Sequence, residues 1–137
     1  AIGDRAVRQA LGSFEASPSA DLRHTIAHLQ LIDPADLPRF AQLGVVANVQ
    51  PYWAQPDEYV TAFANPLLGP ERARRQYPLA SLLKSGAVLA GGSDWSVSTA
   101  NPLQAIEVAL TRRAPGSRQP SWLPEERLLP IPETERF

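Results

Sequence analysis

The sequence predicts an α/β protein in which parallel strands alternate with helices. Three observations predict it. Residues 23–32, 45–50 and 87–92 are short, strongly apolar runs bounded by turn residues. The segments between them carry apolar residues at helical spacing. The strand runs are nearly continuous in apolar character, the pattern of strands covered by helices on both faces of a parallel sheet.

The elements follow in order. Residues 3–16 read as a helix, with Ala6, Val7, Ala10, Leu11 and Phe14 on one face and Ser17-Pro18-Ser19 ending it. Residues 23–32 read as the first strand. Asp33-Pro34 opens a short helix to Leu43, because Asp is a good N-cap and Pro suits the first helical position; Gly44 fits the C-cap. Residues 45–50 form the second strand, closed by Pro51. A long aromatic and proline-rich loop is expected through about Pro70, holding Tyr52, Trp53, Tyr59 and Phe63. Residues 71–85 read as helical with a break near Pro78, and Leu79, Leu82 and Leu83 make the apolar face; Arg72, Arg74 and Arg75 form a solvated charge cluster. The third strand, 87–92, ends in Gly91-Gly92 and delivers Ser93-Asp94-Trp95. A last amphipathic helix spans 102–113, and the segment from Ala114 to Phe137 is rich in proline and expected to be weakly ordered. Three strands cannot close a barrel of eight, which needs about 250 residues. The residues alone therefore describe either a small open sheet or about half of a barrel.

Composition narrows the function classes. A net charge of −1 over 137 residues provides no basic footprint for nucleic acid. No run of about 18 apolar residues exists that could span a membrane. With no cysteine there is neither a disulfide nor a thiolate metal site. The compartment is left open, with the cytoplasm favoured. The chain has no methionine and opens on Ala1-Ile2-Gly3-Asp4-Arg5, which reads as the middle of a domain; the expectation is a piece of a longer protein.

Chemistry in such a sheet sits at the carboxyl ends of the strands. Three polar side chains fall there: His28, Gln50 and Asp94. Two glycines before Asp94 would weaken a strand, and they make sense where something must approach the backbone closely. An Asp at such a place can also simply cap a turn. His24 and His28 share a strand face but lie about 13 Å apart, so one metal cannot take both; His28, nearer the carboxyl end, is the better ligand. A lone strand histidine is by itself more often a hydrogen-bonded core residue. Asn48 and Gln50 share one face of the second strand, where either could hydrogen-bond a substrate. Trp53, Tyr59 and Trp95 are candidates to line a pocket above the sheet.

Several segments together carry a resemblance. Ala1 to Ala6, Arg23-His24-Thr25-Ile26-Ala27-His28-Leu29-Gln30, Asp33 to Phe40, Val49-Gln50-Pro51, Gly92-Ser93-Asp94-Trp95 and Asn101-Pro102-Leu103 resemble amidohydrolase family 3, closest to its YtcJ-like metal-dependent hydrolases, related to N-substituted formamide deformylase. The resemblance runs over nearly the whole chain, in order. It implies the C-terminal part of a (β/α)8 TIM-type barrel, with strands six to eight and their helices in residues 1–137. It implies hydrolysis of non-peptide C–N bonds of the amide or formamide type in a small-molecule substrate, with a divalent metal, zinc foremost. His28 matches the sixth-strand histidine ligand. Asp94 matches the eighth-strand aspartate, both ligand and catalytic base. Gln50, Trp53 and Trp95 are the expected substrate contacts. The family's fifth-strand histidine would immediately precede Ala1, so the chain alone is expected to be inactive. Ala27 and Leu29 replace the usual neighbours of the sixth-strand histidine, and Ser96 replaces a proline. The alternative is a non-catalytic binding or scaffold domain derived from such a barrel.

Overall fold

The computed structural model describes residues 1–17 and 22–129. Pro18 and Ser19, expected to end the first helix, and residues 130–137 of the proline-rich segment lie outside the described residues.

Helix α1 (Asp4–Ala16) begins with an acidic residue in its first turn, where the positive end of the helix dipole favours it. It buries Val7 and Leu11, four residues apart and so on one face. Strand β1 (Thr25–His28) follows. Asp33 then caps a short 3-10 turn as its chemistry predicts, its carboxylate accepting from the Ala35 N–H at 3.0 Å with Pro34 at the first position. The turn leads into α2 (Leu37–Gln42), which buries Phe40. Gly44, at φ +63°, reverses the chain where a side chain would be strained. Strand β2 (Val46–Val49) continues an alternation in which Val45, Ala47 and Val49 are buried.

The expected loop of 51–70 is largely helical, which corrects the sequence reading. A 3-10 turn covers Pro51–Trp53, a π-helical segment Tyr59–Ala64, and α3 spans Asn65–Ala73 with a break at Gly69 (φ +72°). Its prolines concealed it: Pro66 stands in the first turn of α3, where no amide is needed, and Pro70 follows the Gly69 break. Helix α4 (Leu79–Lys84) buries Leu79, Ala80 and Leu82. Strand β3 (Leu89–Gly91) and α5 (Pro102–Thr111) complete the order.

The three strands form one parallel sheet in the order β1-β2-β3. Val7 and Leu11 of α1, Phe40 of α2, Leu79 and Leu82 of α4 and Val108 of α5 join Ile26, Ala47 and Val49 in a single core. The fold is therefore the expected mixed α/β arrangement. The expected burial of both faces is met in part: β2 buries Ala47 and Val49 but leaves Val46 and Asn48 half-buried, Thr25 of β1 is exposed, and in β3 Leu89 and Ala90 are half-buried and Gly91 exposed. No strand among the described residues pairs with the outer edge of β3.

The segment after α5 is not weakly ordered as far as Leu129. Arg112, fully buried, donates to the carbonyls of Tyr77 (2.8 Å), Gln76 (3.3 Å) and Trp122 (3.2 Å), and its guanidinium lies 4.9 Å from the Trp122 ring centre. The Trp122 and Leu128 amides donate to the Arg112 and Ala109 carbonyls at 2.9 Å each. The composition that suggested disorder misses these anchors, since each joins residues ten or more positions apart. No described helix is long and apolar enough to cross a membrane.

Candidate functional site

Register sets the site. His28, Val49 and Gly91 are partners across the three strands. The ladder continues one step further, with the Gly92 N–H donating to the Val49 carbonyl at 2.9 Å. Gln50 and Gly92 thus lie just past the carboxyl ends of β2 and β3, and Asp94 two residues beyond Gly92. The three strand-end residues proposed from sequence are brought to one end of the sheet.

His28 is not in regular strand geometry. Its φ is +73°, and Leu29 follows at +58°. The Leu29 N–H donates to the Ala27 carbonyl at 3.1 Å across His28, and to the Ala1 carbonyl at 2.9 Å. This three-residue turn with a positive central φ is rare and strained. Non-glycine residues held this way gather at functional sites because the surrounding structure must enforce them. His24 stays with the core: its ring stacks on Phe14 at 4.2 Å, 10° from parallel.

Asp94 also has a positive φ, +58°. Its carbonyl accepts from the Val97 (2.8 Å) and Ser98 (3.2 Å) amides, so its backbone builds the turn after β3. The Trp95 N–H donates to Ser93 Oγ at 3.2 Å, and Ser98 Oγ donates to the Ser93 carbonyl. Capping of the next helix falls to Asn101, whose Oδ1 accepts from Leu103 N–H at 3.0 Å. The Asp94 carboxylate makes no hydrogen bond or ion pair among the described residues. The simpler reading of Asp94 as a side-chain cap is thereby set aside.

Gln50 is only 4% exposed. Its Nε2 donates to the Asn48 carbonyl at 3.3 Å, while its Oε1 and the Oδ1 of Asn48 are buried without partners. Trp53, half-buried, follows in the 3-10 turn and meets Tyr52 edge-on at 5.6 Å. Trp95 is 70% exposed and lines no described wall. A residue absent from the sequence reading is Tyr77. It is buried, and desolvation pushes its phenol well above the ordinary range, reinforced by the charges of Asp57, Tyr59 and Asp94. Its sequence signal was slight, one aromatic beside Pro78 inside an expected helix.

An apolar cavity of about 500 Å³ opens between β3 and α5, lined by Val49, Leu89, Gly91, Ser93, Ala105 and Ile106 among others. Its lining carries no charged group. Among the described residues no group of three or more His, Cys, Asp or Glu could hold a metal.

Comparison with known proteins places this arrangement. The profile described as the amidohydrolase family matches residues 1–135. Protein LONG AFTER FAR-RED 3 of Arabidopsis thaliana is 40% identical over 133 residues, covering 93% of this chain and 22% of that protein. The putative amidohydrolase YtcJ of Bacillus subtilis is 28% identical over 134 residues, covering 97% of this chain and 25% of YtcJ. Two crystal structures of uncharacterized metal-dependent hydrolases are similar at 28% identity. That from Pyrococcus furiosus has a TM-score of 0.67 over 93% of this chain, and that from Pyrococcus horikoshii OT3 has 0.72 over 92%; each alignment covers 24% of the solved chain. The chain spans about a quarter of the length of these relatives. With the profile matching nearly every residue, the chain belongs to the amidohydrolase family.

Proposed function

We propose that this chain contributes strands six to eight of a (β/α)8 barrel to a metal-dependent hydrolase of non-peptide C–N bonds, of the amide or formamide type. The observation that carries the reading is the Asp94 carboxylate, without a hydrogen-bond or ion-pair partner among the described residues, on a positive-φ residue at the same end of the sheet as His28 and Gln50. The open edge of β3 and the apolar cavity beside it support the barrel, because both are what an adjoining strand and helix would cover.

A divalent metal fits the donors in kind. An imidazole and a carboxylate at strand ends suit zinc. It does not fit them in number: His28 and Asp94 are two donors and zinc takes about four, so the remaining donors are proposed to come from residues outside this chain. His28 and Asp94 would hold the ion, which when bound polarises the substrate carbonyl and acidifies water. Asp94 accepts the proton of the attacking water and hands it to the leaving nitrogen. Gln50 hydrogen-bonds the substrate, with Trp53 and Trp95 as its further contacts.

The test is Asp94→Asn in a protein of family length carrying this chain. Its kcat/KM for amide hydrolysis should fall by roughly 10²–10⁴-fold with the fold retained. Turnover like the unsubstituted protein's would overturn the role. The shortage of donors favours one other reading, a non-catalytic binding domain; a family-length protein that binds no metal and turns over no amide would establish it.

A further inference from the structure

We infer that Gln76 is a positioning residue for His28: through Gln30 it holds the left-handed turn from which the imidazole is presented. The inference rests on the reading of His28 as a metal donor and names what fixes that donor in place. Its first support is the turn. His28 and Leu29 are consecutive non-glycine residues at φ +73° and +58°. Such a conformation persists only where the surroundings enforce it. It also decides where the ring goes, because the backbone dihedrals set the direction of the Cα–Cβ bond. Relaxation of His28 to a negative φ would turn its side chain in another direction.

The second support is what encloses the turn. On one side, the Ala1 and Ile2 carbonyls accept from the Leu29 (2.9 Å) and Leu31 (3.0 Å) amides. On the other, Leu31 forms an antiparallel bridge with Gln76, and the Tyr77 N–H donates to the Gln30 carbonyl at 2.7 Å. A side-chain bond completes that side, Gln30 Nε2 donating to Gln76 Oε1 at 3.0 Å. Gln30 lies two residues past His28 and is buried, and Gln76 is fully buried.

The third support is the anchorage of Gln76 itself. Its Nε2 donates to Asn65 Oδ1 at 2.8 Å and to the Ala73 carbonyl at 3.2 Å. The Ala73 carbonyl can only accept, so Nε2 must face it, and Oε1 is left for Gln30. The Gln76 backbone carbonyl accepts from Arg112 at 3.3 Å. Both polar atoms of its side chain are thus engaged, and they tie the segment after His28 to α3. A buried network satisfied in this way rigidifies what it joins.

The test is made in a protein of family length carrying this chain, loaded with zinc or with cobalt(II). Gln76→Met and Gln30→Met each break the bond from one end. The double variant removes both carboxamides together, so it should fold with close to parental stability. Zinc affinity should fall by about 10–100-fold in the double variant as in the single ones, the usual cost of losing a group that orients a ligand. The visible d–d bands of the cobalt form, which report ligand geometry, should shift. In the metal-free protein, hydrogen exchange should quicken over residues 28–32 and stay unchanged over β2. Glu126→Ala removes a buried acceptor from the Ser81 N–H instead, and should keep the parental affinity and bands. Parental affinity and bands in the double variant, with or without faster exchange, make the pair structural and overturn the role; so does an equal loss in Glu126→Ala. His28→Ala separates the two readings. Unchanged zinc affinity there removes His28 as a donor, and the proposal with it. A loss there beside a parental double variant removes the positioning role alone.

Discussion

Tyr77 shows how one residue's surroundings set a measurable property. The residue is 8% exposed and its ring meets that of Trp122 edge-on at 6.3 Å. Burial, with Asp57, Tyr59 and Asp94 adding negative charge, holds the phenol protonated in the fold. Above its ordinary value of 10.0 the unfolded chain releases a proton that the folded chain keeps. The stability this contributes is whole below pH 10 and is lost as pH rises, at about 1.4 kcal/mol per pH unit. Arg112 acts oppositely, its pKa lowered by burial to about 10, so comparison with a variant isolates the tyrosine. Urea unfolding should show the chain losing stability relative to Tyr77→Phe as pH rises above 10; parallel curves would refute the assignment. Arg112 is the companion case. Replacing it by Leu leaves the carbonyls of Gln76, Tyr77 and Trp122 without their donor. Since bonds to a charged group are worth about 1.5–3 kcal/mol each at most, and burial of the charge offsets part of that, a net loss of about 2–4 kcal/mol is expected at pH 7.

Among the elements, α4 depends on a residue far from it in sequence. Its N-cap position is Pro78, which provides no side-chain acceptor. Glu126 supplies one from 45 residues away, accepting from the Ser81 N–H at 3.0 Å and from Ser81 Oγ. A carboxylate at a helix N-terminus satisfies a free amide and faces the positive end of the dipole. Glu126→Ala should therefore lower stability by about 1–2 kcal/mol and also loosen the segment beyond Trp122. Limited proteolysis would show the second effect as faster cleavage near Arg127, and unchanged cleavage would mean that Trp122 and Leu128 hold the segment unaided. Asp36 plays a similar part between α1 and α2: it is 2% exposed and accepts from Arg8 at 2.9 Å and Arg39 at 3.0 Å.

At the scale of the whole molecule, the outer side of the sheet is unfinished. On α5, Leu103, Ile106 and Leu110 are 70%, 53% and 36% exposed, and Val88 before β3 is 65% exposed. Spaced three and four apart, the α5 residues form one apolar stripe beside the open edge of β3. Such an edge templates pairing with another chain. The isolated chain should self-associate at micromolar concentration in sedimentation velocity, and Ile106→Lys should shift it toward the monomer. A monodisperse, cooperatively folding monomer would contradict this.

Local patterning alone determined the order of strands and helices, the Asp33-Pro34 start, the turn at Gly44 and the strand-end positions of His28, Gln50 and Asp94. These depend on hydrophobic period, backbone stereochemistry and capping, all of which act within a few residues. The helical character of 59–73 was hidden because proline and aromatic content mimics a loop. Only the tertiary structure decided that Asp94 spends its backbone and not its carboxylate on the turn after β3. It also decided that His28 sits in a positive-φ turn, that the carboxamides of Asn48 and Gln50 pack against Gly92, and that Glu126 caps a helix 45 residues away. Each of those depends on groups brought together across the chain, where burial and partner geometry set the energy and local sequence carries no record of either.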